Sequence, residues 1–228
     1  MISKELEPSI LLGCQYLHAP IPGLKDAQTA KVGYHLIGTP EQYRLKVYGN
    51  EWKGKVSPED FIGEHDAWDI RETYNRLWHG VKFYAHSQIR IAGGNLSAVR
   101  MLKPDRIIST IPAMNLCESP FAKHEFYRHL IYASGASRPQ DGLGANQVMC
   151  VGDESTDWYR SSNVFGYRTV EWPAGRSISR PEGTVRVYKP LSTDCDCHPD
   201  VIRVGRYGEW DKSVLVHQVY DKVVKALS

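Results

Sequence analysis

Asp194-Cys195-Asp196-Cys197-His198 packs two thiols and an imidazole into four consecutive residues, Cys195 to His198. Thiolate and imidazole are the preferred ligands of zinc, and Cys117 and His124, just after the Ile111-Pro112 stop, could complete a tetrahedral set. The spacing is not that of a zinc finger or ribbon. In an extended segment Cys195 and Cys197 point to opposite sides, so only one of them can face a given ion unless the chain turns. The competing reading is a pair of ordinary loop cysteines beside Pro199. The metal expectation is therefore a site of Cys195, Cys197 and His198, joined by Cys117 or His124.

The next chemistry-bearing stretch follows at once. Val201-Ile-Arg-Val-Gly-Arg-Tyr-Gly-Glu-Trp210 is a short apolar strand that breaks at two glycines and runs into a helix. Free backbone N–H groups and the positive end of a helix dipole suit a phosphate or another electron-rich group. Gly205 and Gly208 leave room for close approach, Arg206 offers a planar fork of donors, and Tyr207 offers a ring. The alternative is a glycine-bounded turn with Arg206 paired to an acid, and Trp210 and His217 as packing and surface residues.

The Val201–Trp210 stretch resembles the C-terminal cofactor turn of the FAD-dependent family that includes UDP-galactopyranose mutases, protoporphyrinogen oxidases and flavin amine oxidases. Asp105-Arg-Ile-Ile-Ser-Thr-Ile-Pro112 is similar to the strand and turn that the family writes D-x-V-I-S-T-I-P, and the pattern is most similar to phage-encoded members. The resemblance implies FAD lying against Gly205, Arg206, Tyr207, Gly208 and Trp210. It also implies an oxidoreductase in which the flavin does the hydride chemistry. Its catalytic residues and substrate are not implied. Members of that family open with a strand, a Gly-x-Gly-x-x-Gly turn and a helix that hold the pyrophosphate. This sequence opens otherwise, and Gly142-Leu-Gly-Ala-Asn-Gln147 lacks the third glycine and precedes its strand. The expectation is thus a flavin-dependent protein or subunit that supplies the substrate side of an FAD site. A partner chain with the dinucleotide-binding fold, or a second copy of this one, would supply the rest. The alternative is a non-catalytic binding protein on a decayed flavoprotein scaffold, stabilised by zinc.

Other candidates carry less. Asp153, Glu154 and Asp157 follow the Val148–Val151 run, where solvated loop acids are the common outcome. Six tryptophans are spread along the chain, and large aromatics mostly fill cores and interfaces. Gly-x-x-x-x-Gly-Lys-Ser/Thr is absent, which excludes a P-loop nucleotide hydrolase, and no nucleophile–base order suggests hydrolysis.

Length and composition set the frame for these residues. A chain of 228 residues, 42% hydrophobic and 24% charged, fits a globular protein with a sizeable core. With 28 basic and 26 acidic residues there is no field to attract nucleic acid or an anionic membrane. Apolar runs such as Ser9–Gly13 are too short to span a bilayer, and no signal peptide is evident, so the expected compartment is the cytoplasm. Five cysteines, an odd number, argue against a disulfide framework.

The elements that must position the chemistry read as α/β or α+β, with a mixed, mainly antiparallel sheet and flanking helices. Residues 1–30 read as an irregular lead-in and 31–228 as a single flavoprotein-like domain. Lys31–Ile37 and Tyr43–Tyr48 read as a hairpin, Asp66–Val81 as the main helix after a start signal at Ser57–Asp60, and Asn95–Leu102 as a short helix. Strands are expected at Asp105–Ile111, Glu125–Ala133, Gln147–Gly152, Phe165–Trp172 and Thr184–Tyr188, with a turn at Arg160–Asn163. Val216, Val219, Tyr220, Val223 and Leu227 mark the apolar face of a C-terminal helix.

Overall fold

A computed structural model describes residues 16–50, 52, 54–77, 96, 100, 103–135, 143–175 and 182–228. They fall into two compact units, one within Glu5–Val81 and Leu130–Tyr188, the other within Lys82–His129 and Lys189–Ser228. The architecture is mixed α/β with a mostly antiparallel sheet, as the alternation of apolar residues predicts.

The first unit is built on this sheet. Its strands are β1 (Tyr16–Leu17), β2 (Thr29–Ile37), β3 (Gly63–Asp69) and β5 (Phe126–Ser134), then β6 (Gln147–Val151), β7 (Arg160–Val164), β8 (Tyr167–Pro173) and β9 (Val185–Thr193). β4 belongs to the second unit, and the division between units falls inside β5 and β9. The order is β1-β3-β2-β6-β7-β8-β5-β9, with β2 and β6 paired in parallel.

Tyr43–Tyr48, expected as the second strand of a hairpin, is instead part of helix α1 (Pro40–Tyr48). Thr39 caps it: the Thr39 hydroxyl accepts from the Gln42 N–H, the Gln42 side chain accepts from the Thr39 N–H, and Pro40 occupies the first turn. The helix turns Tyr43 and Val47 into the core and brings its start against Gly152, where an added Cβ would lie 2.5 Å from the Tyr43 nitrogen.

The main helix also begins later than its periodicity predicts. Residues 66–69 extend β3, with Ala67 and Asp69 buried on alternate positions, and α2 (Ile70–Leu77) starts where the Asp69 carboxylate accepts from the Arg71 and Glu72 N–H groups. Arg160–Asn163, expected as a turn, is most of β7, and the reversal falls at Phe165-Gly166, both at positive φ. Tyr16 and Leu17 add a paired strand to the expected irregular lead-in. The rest of that lead-in before Tyr16, the end of the 66–81 helix, most of Asn95–Leu102 and Gly142 lie outside the described residues.

One sheet face carries Val32, Val148, Cys150 and Val164 into a core closed by Tyr43, Val47, Phe61 and Tyr159. Within it Arg160 stands opposite Glu171 across β7 and β8, and the Tyr159 hydroxyl donates to the Glu171 carboxylate.

The second unit is made of shorter pieces. β4 (Ile107–Ser109) pairs in parallel with β10 (Val201–Arg203), so the strands of the two motif segments lie side by side. α3 (Ala113–Leu116) follows β4, and α4 (Gly205–Glu209) follows β10. The C-terminal helix α5 spans Gln218–Leu227 with no buried residue, and Val216, Tyr220, Val224 and Leu227 are exposed.

Candidate metal centre

Four side chains of the second unit converge. One ligand atom from each of Cys117, His124, Cys195 and Cys197 can be chosen so that all four lie within 4.8 Å of one another. Cys117 Sγ is 3.9 Å from Cys197 Sγ, and Cys197 Sγ is 3.5 Å from His124 Nε2.

Local structure explains how residues so far apart in sequence meet. Cys117 caps the C-terminus of α3, its N–H donating to the Ala113 carbonyl at 3.0 Å. A tight reversal follows, with Phe121 at φ +64° and its N–H donating to the His124 carbonyl, and it returns His124 toward Cys117. On the other side, Thr193 and Asp194 are tied to Glu125. The Thr193 hydroxyl donates to the Glu125 carbonyl and the Asp194 carboxylate accepts from the Glu125 N–H, at 2.7 Å each. The Cys195 N–H donates back to the Thr193 hydroxyl.

The alternation problem at Cys195 and Cys197 is resolved by Arg203 on β10. Its guanidinium donates to the Cys195 carbonyl at 3.0 Å and the Cys197 carbonyl at 2.5 Å, wrapping the intervening chain around one cation, and it reaches Cys195 Sγ at 3.5 Å. The segment is thus not extended, and both thiols face the same space. Nothing in residue type or spacing marks Arg203 for this task, because it reads as an ordinary strand residue.

Geometry and charge both suit a tetrahedral ion. Zinc bonds of about 2.3 Å to sulfur and 2.0–2.1 Å to nitrogen at tetrahedral angles require S···S edges of about 3.8 Å and S···N edges of about 3.6 Å. The observed edges of 3.9 and 3.5 Å match these. Burial pushes the Cys117 thiol up to about 12, its neighbouring sulfurs adding to the effect. Burial also raises Cys195, but hydrogen bonds from Arg203 and from the Cys197 N–H, with Cys117 beside it, outweigh this and leave its pKa below the ordinary thiol value. A dication would draw the remaining protons off and neutralise the crowded thiolates. On the far side of the His124 ring, Nδ1 faces the Asp194 carboxylate at 3.9 Å, an ion-pair separation and not a hydrogen bond.

The cluster sits on an apolar floor. Cys117 packs with Ala113, Phe126 and Trp210, and Met114, Cys195 and Cys197 lie against them. Trp210 is 2% exposed, meets Phe126 edge-on at 5.6 Å, and donates its indole N–H to the Tyr127 carbonyl.

His198 stands outside the four. It reverses the chain at φ +58°, with Nδ1 3.3 Å from the Arg100 guanidinium and Nε2 3.7 Å from the Glu118 carboxylate. The residues of the glycine turn have internal neighbours as well. Gly205 takes φ +78° at the start of α4, and a Cβ on Gly208 would come within 2.9 Å of the Ser109 carbonyl oxygen, so that glycine lets α4 pack onto β4. Arg206 Nε donates to the Val214 carbonyl, and Tyr207 is partly exposed beside Trp210. In the first unit, Asp153 holds its own turn, accepting from the Ser155 N–H and hydroxyl.

No protein-family model, curated protein or solved structure matches the chain. Among the described residues, no helix is long and apolar enough to cross a membrane.

Proposed function

We propose that the second unit holds a structural Zn²⁺ through Cys117, His124, Cys195 and Cys197, and that the protein is a non-catalytic binding protein stabilised by that ion. The observation that carries this reading is the convergence of three sulfurs and one imidazole nitrogen within 4.8 Å of one another, with the Cys117–Cys197 and Cys197–His124 edges at tetrahedral length. Four protein ligands leave no open position for water or substrate, which separates a structural site from a catalytic one. The ion would fix the α3 C-terminus, the His124 reversal and the strand ahead of β10 to one point. Metal analysis of protein purified without an affinity tag tests it: the expected content is about one zinc per chain. Metal-free protein whose melting temperature ignores chelator would remove the reading.

A flavin-dependent role is a second reading, favoured by one observation, the parallel pairing of β4 with β10 that sets the two resembling segments side by side. It asks for FAD against Gly205, Arg206, Tyr207, Gly208 and Trp210. Purified protein would then be yellow alone, or become so on mixing FAD with a partner chain that carries the dinucleotide fold. A colourless protein under both conditions ends this reading.

A further inference from the structure

We propose that this metal centre is also a redox switch, in which a peroxide joins Cys117 to Cys197 as a disulfide and the ion is released. The inference rests on the zinc reading above and adds its regulation. Three thiols crowd one site, and the pair that would join already stands 3.9 Å apart, sulfur to sulfur. Closing to a bond of about 2.05 Å requires a shift of about 2 Å. Cys197 can make it by turning its side chain while its carbonyl stays on Arg203, whereas Cys117 is fixed at the end of α3 in the apolar floor.

Exposure sets the order of events. Cys197 is half-buried and Cys117 only 1% exposed, so Cys197 meets the oxidant first. Its thiolate attacks one peroxide oxygen, the O–O bond breaks, and the departing hydroxide takes a proton to become water, leaving a sulfenic acid. The Cys117 sulfur then attacks the Cys197 sulfur, the S–O bond breaks, and the second hydroxide leaves with the Cys117 proton or, from the metal-bound thiolate, with one from solvent. Two sulfurs have given up one electron each and peroxide has accepted two. Cys117 joins Cys197 and not Cys195 because the Cys197 sulfur stands 3.9 Å away, whereas the Cys195 sulfur accepts from the Arg203 guanidinium. After the step only Cys195 and His124 remain as ligands, too few to keep the ion.

Cys150 supplies an internal control. It is 2% exposed in the core of the first unit, and it should stay reduced while the centre reacts.

The test uses the full chain loaded with zinc, its stoichiometry measured before any oxidant is added. Hydrogen peroxide is then titrated in while a chromogenic chelator reads released zinc and mass spectrometry maps disulfides. The expected result is one zinc released per disulfide formed, the bridge mapping to Cys117–Cys197 with Cys150 reduced, and zinc uptake restored by a thiol reductant. Zinc that stays bound through the titration, zinc lost with sulfinic acids and no disulfide, or a bridge through Cys195 would each overturn the switch while leaving the zinc reading intact. A chain that takes up no zinc beforehand removes both, and that result is visible before the oxidant is introduced.

Discussion

The two units differ in the size of their apolar clusters. In the first, eleven buried residues, most of them from the sheet and α1, form one cluster with six partly buried apolar side chains packed around it, beside a smaller cluster of Leu17, Ile21 and Ile70. In the second, the described residues form two small clusters, four buried residues around Trp210 and three around Leu116, and the elements are three to five residues long apart from α5. Short elements cannot bury enough apolar area to offset the entropy of ordering their loops, and small domains in that position commonly use a metal or a disulfide instead. Where the core is large, cysteine is simply a core residue, as Cys150 is. Where it is small, cysteines gather.

The contrast can be broken most forcefully by taking one support from each unit. Chelation, or Cys117→Ser, should unfold the second unit at low temperature, since metal-linked folding energy in small zinc modules is of the order of 10 kcal/mol. Ile131→Ala, at a fully buried position of the sheet core, should cost about 2–5 kcal/mol and leave zinc content unchanged. Calorimetry of the two variants would show different transitions affected. If both shift the same transition by the same amount, the units do not differ as described.

A smaller effect is expected from Gly208→Ala. The added Cβ would press on the Ser109 carbonyl oxygen at 2.9 Å, a backbone atom that cannot swing away, and should cost about 1–3 kcal/mol. Because α4 leads into Trp210 on the floor of the centre, zinc should also bind less tightly in a chelator competition. Unchanged stability and affinity would mean that α4 shifts freely on β4.

Acid should act more gently still. Burial, with Lys189 adding to it, lowers His129 to about 4, below its ordinary value of 6.5. The unfolded chain therefore binds the proton more readily, and stability contributed by the neutral ring is present above pH 6.5 and lost as pH falls toward 4. Allowing for solvent screening of its exposed part, the loss is of the order of 1–2 kcal/mol. A His129→Gln variant should flatten that part of the stability curve, and a slope that persists in it would assign the effect elsewhere.

How far these differences were legible in the sequence depends on the range of the forces involved. Strands with clear alternation, such as 29–37 and 147–151, were readable because burial on one face imposes a period of two. Tyr43–Tyr48 alternates well enough to mimic a strand, yet the local capping box at Thr39-Pro-Glu-Gln42 decides for helix, a signal present in the sequence and outweighed by the apolar pattern. Arg160–Asn163 reads as a turn because its residues are polar, yet Ser161, Ser162 and Asn163 are buried between β6 and β8, with Ser162 bonding Thr169 on β8, a pairing that residue type alone does not reveal. At the centre, residue types alone point to Cys195, Cys197 and His198 with Cys117 or His124. The choice of His124 over His198 depends on the reversal at Phe121 and on the Asp194 tie to Glu125, and the facing of both thiols depends on Arg203. Those are tertiary facts.

X-ray absorption at the zinc edge of the purified protein tests the central claim most directly. The expected shell has three sulfurs at about 2.3 Å and one nitrogen at about 2.0–2.1 Å. A shell of nitrogen and oxygen neighbours, or one with fewer than three sulfurs, would contradict it.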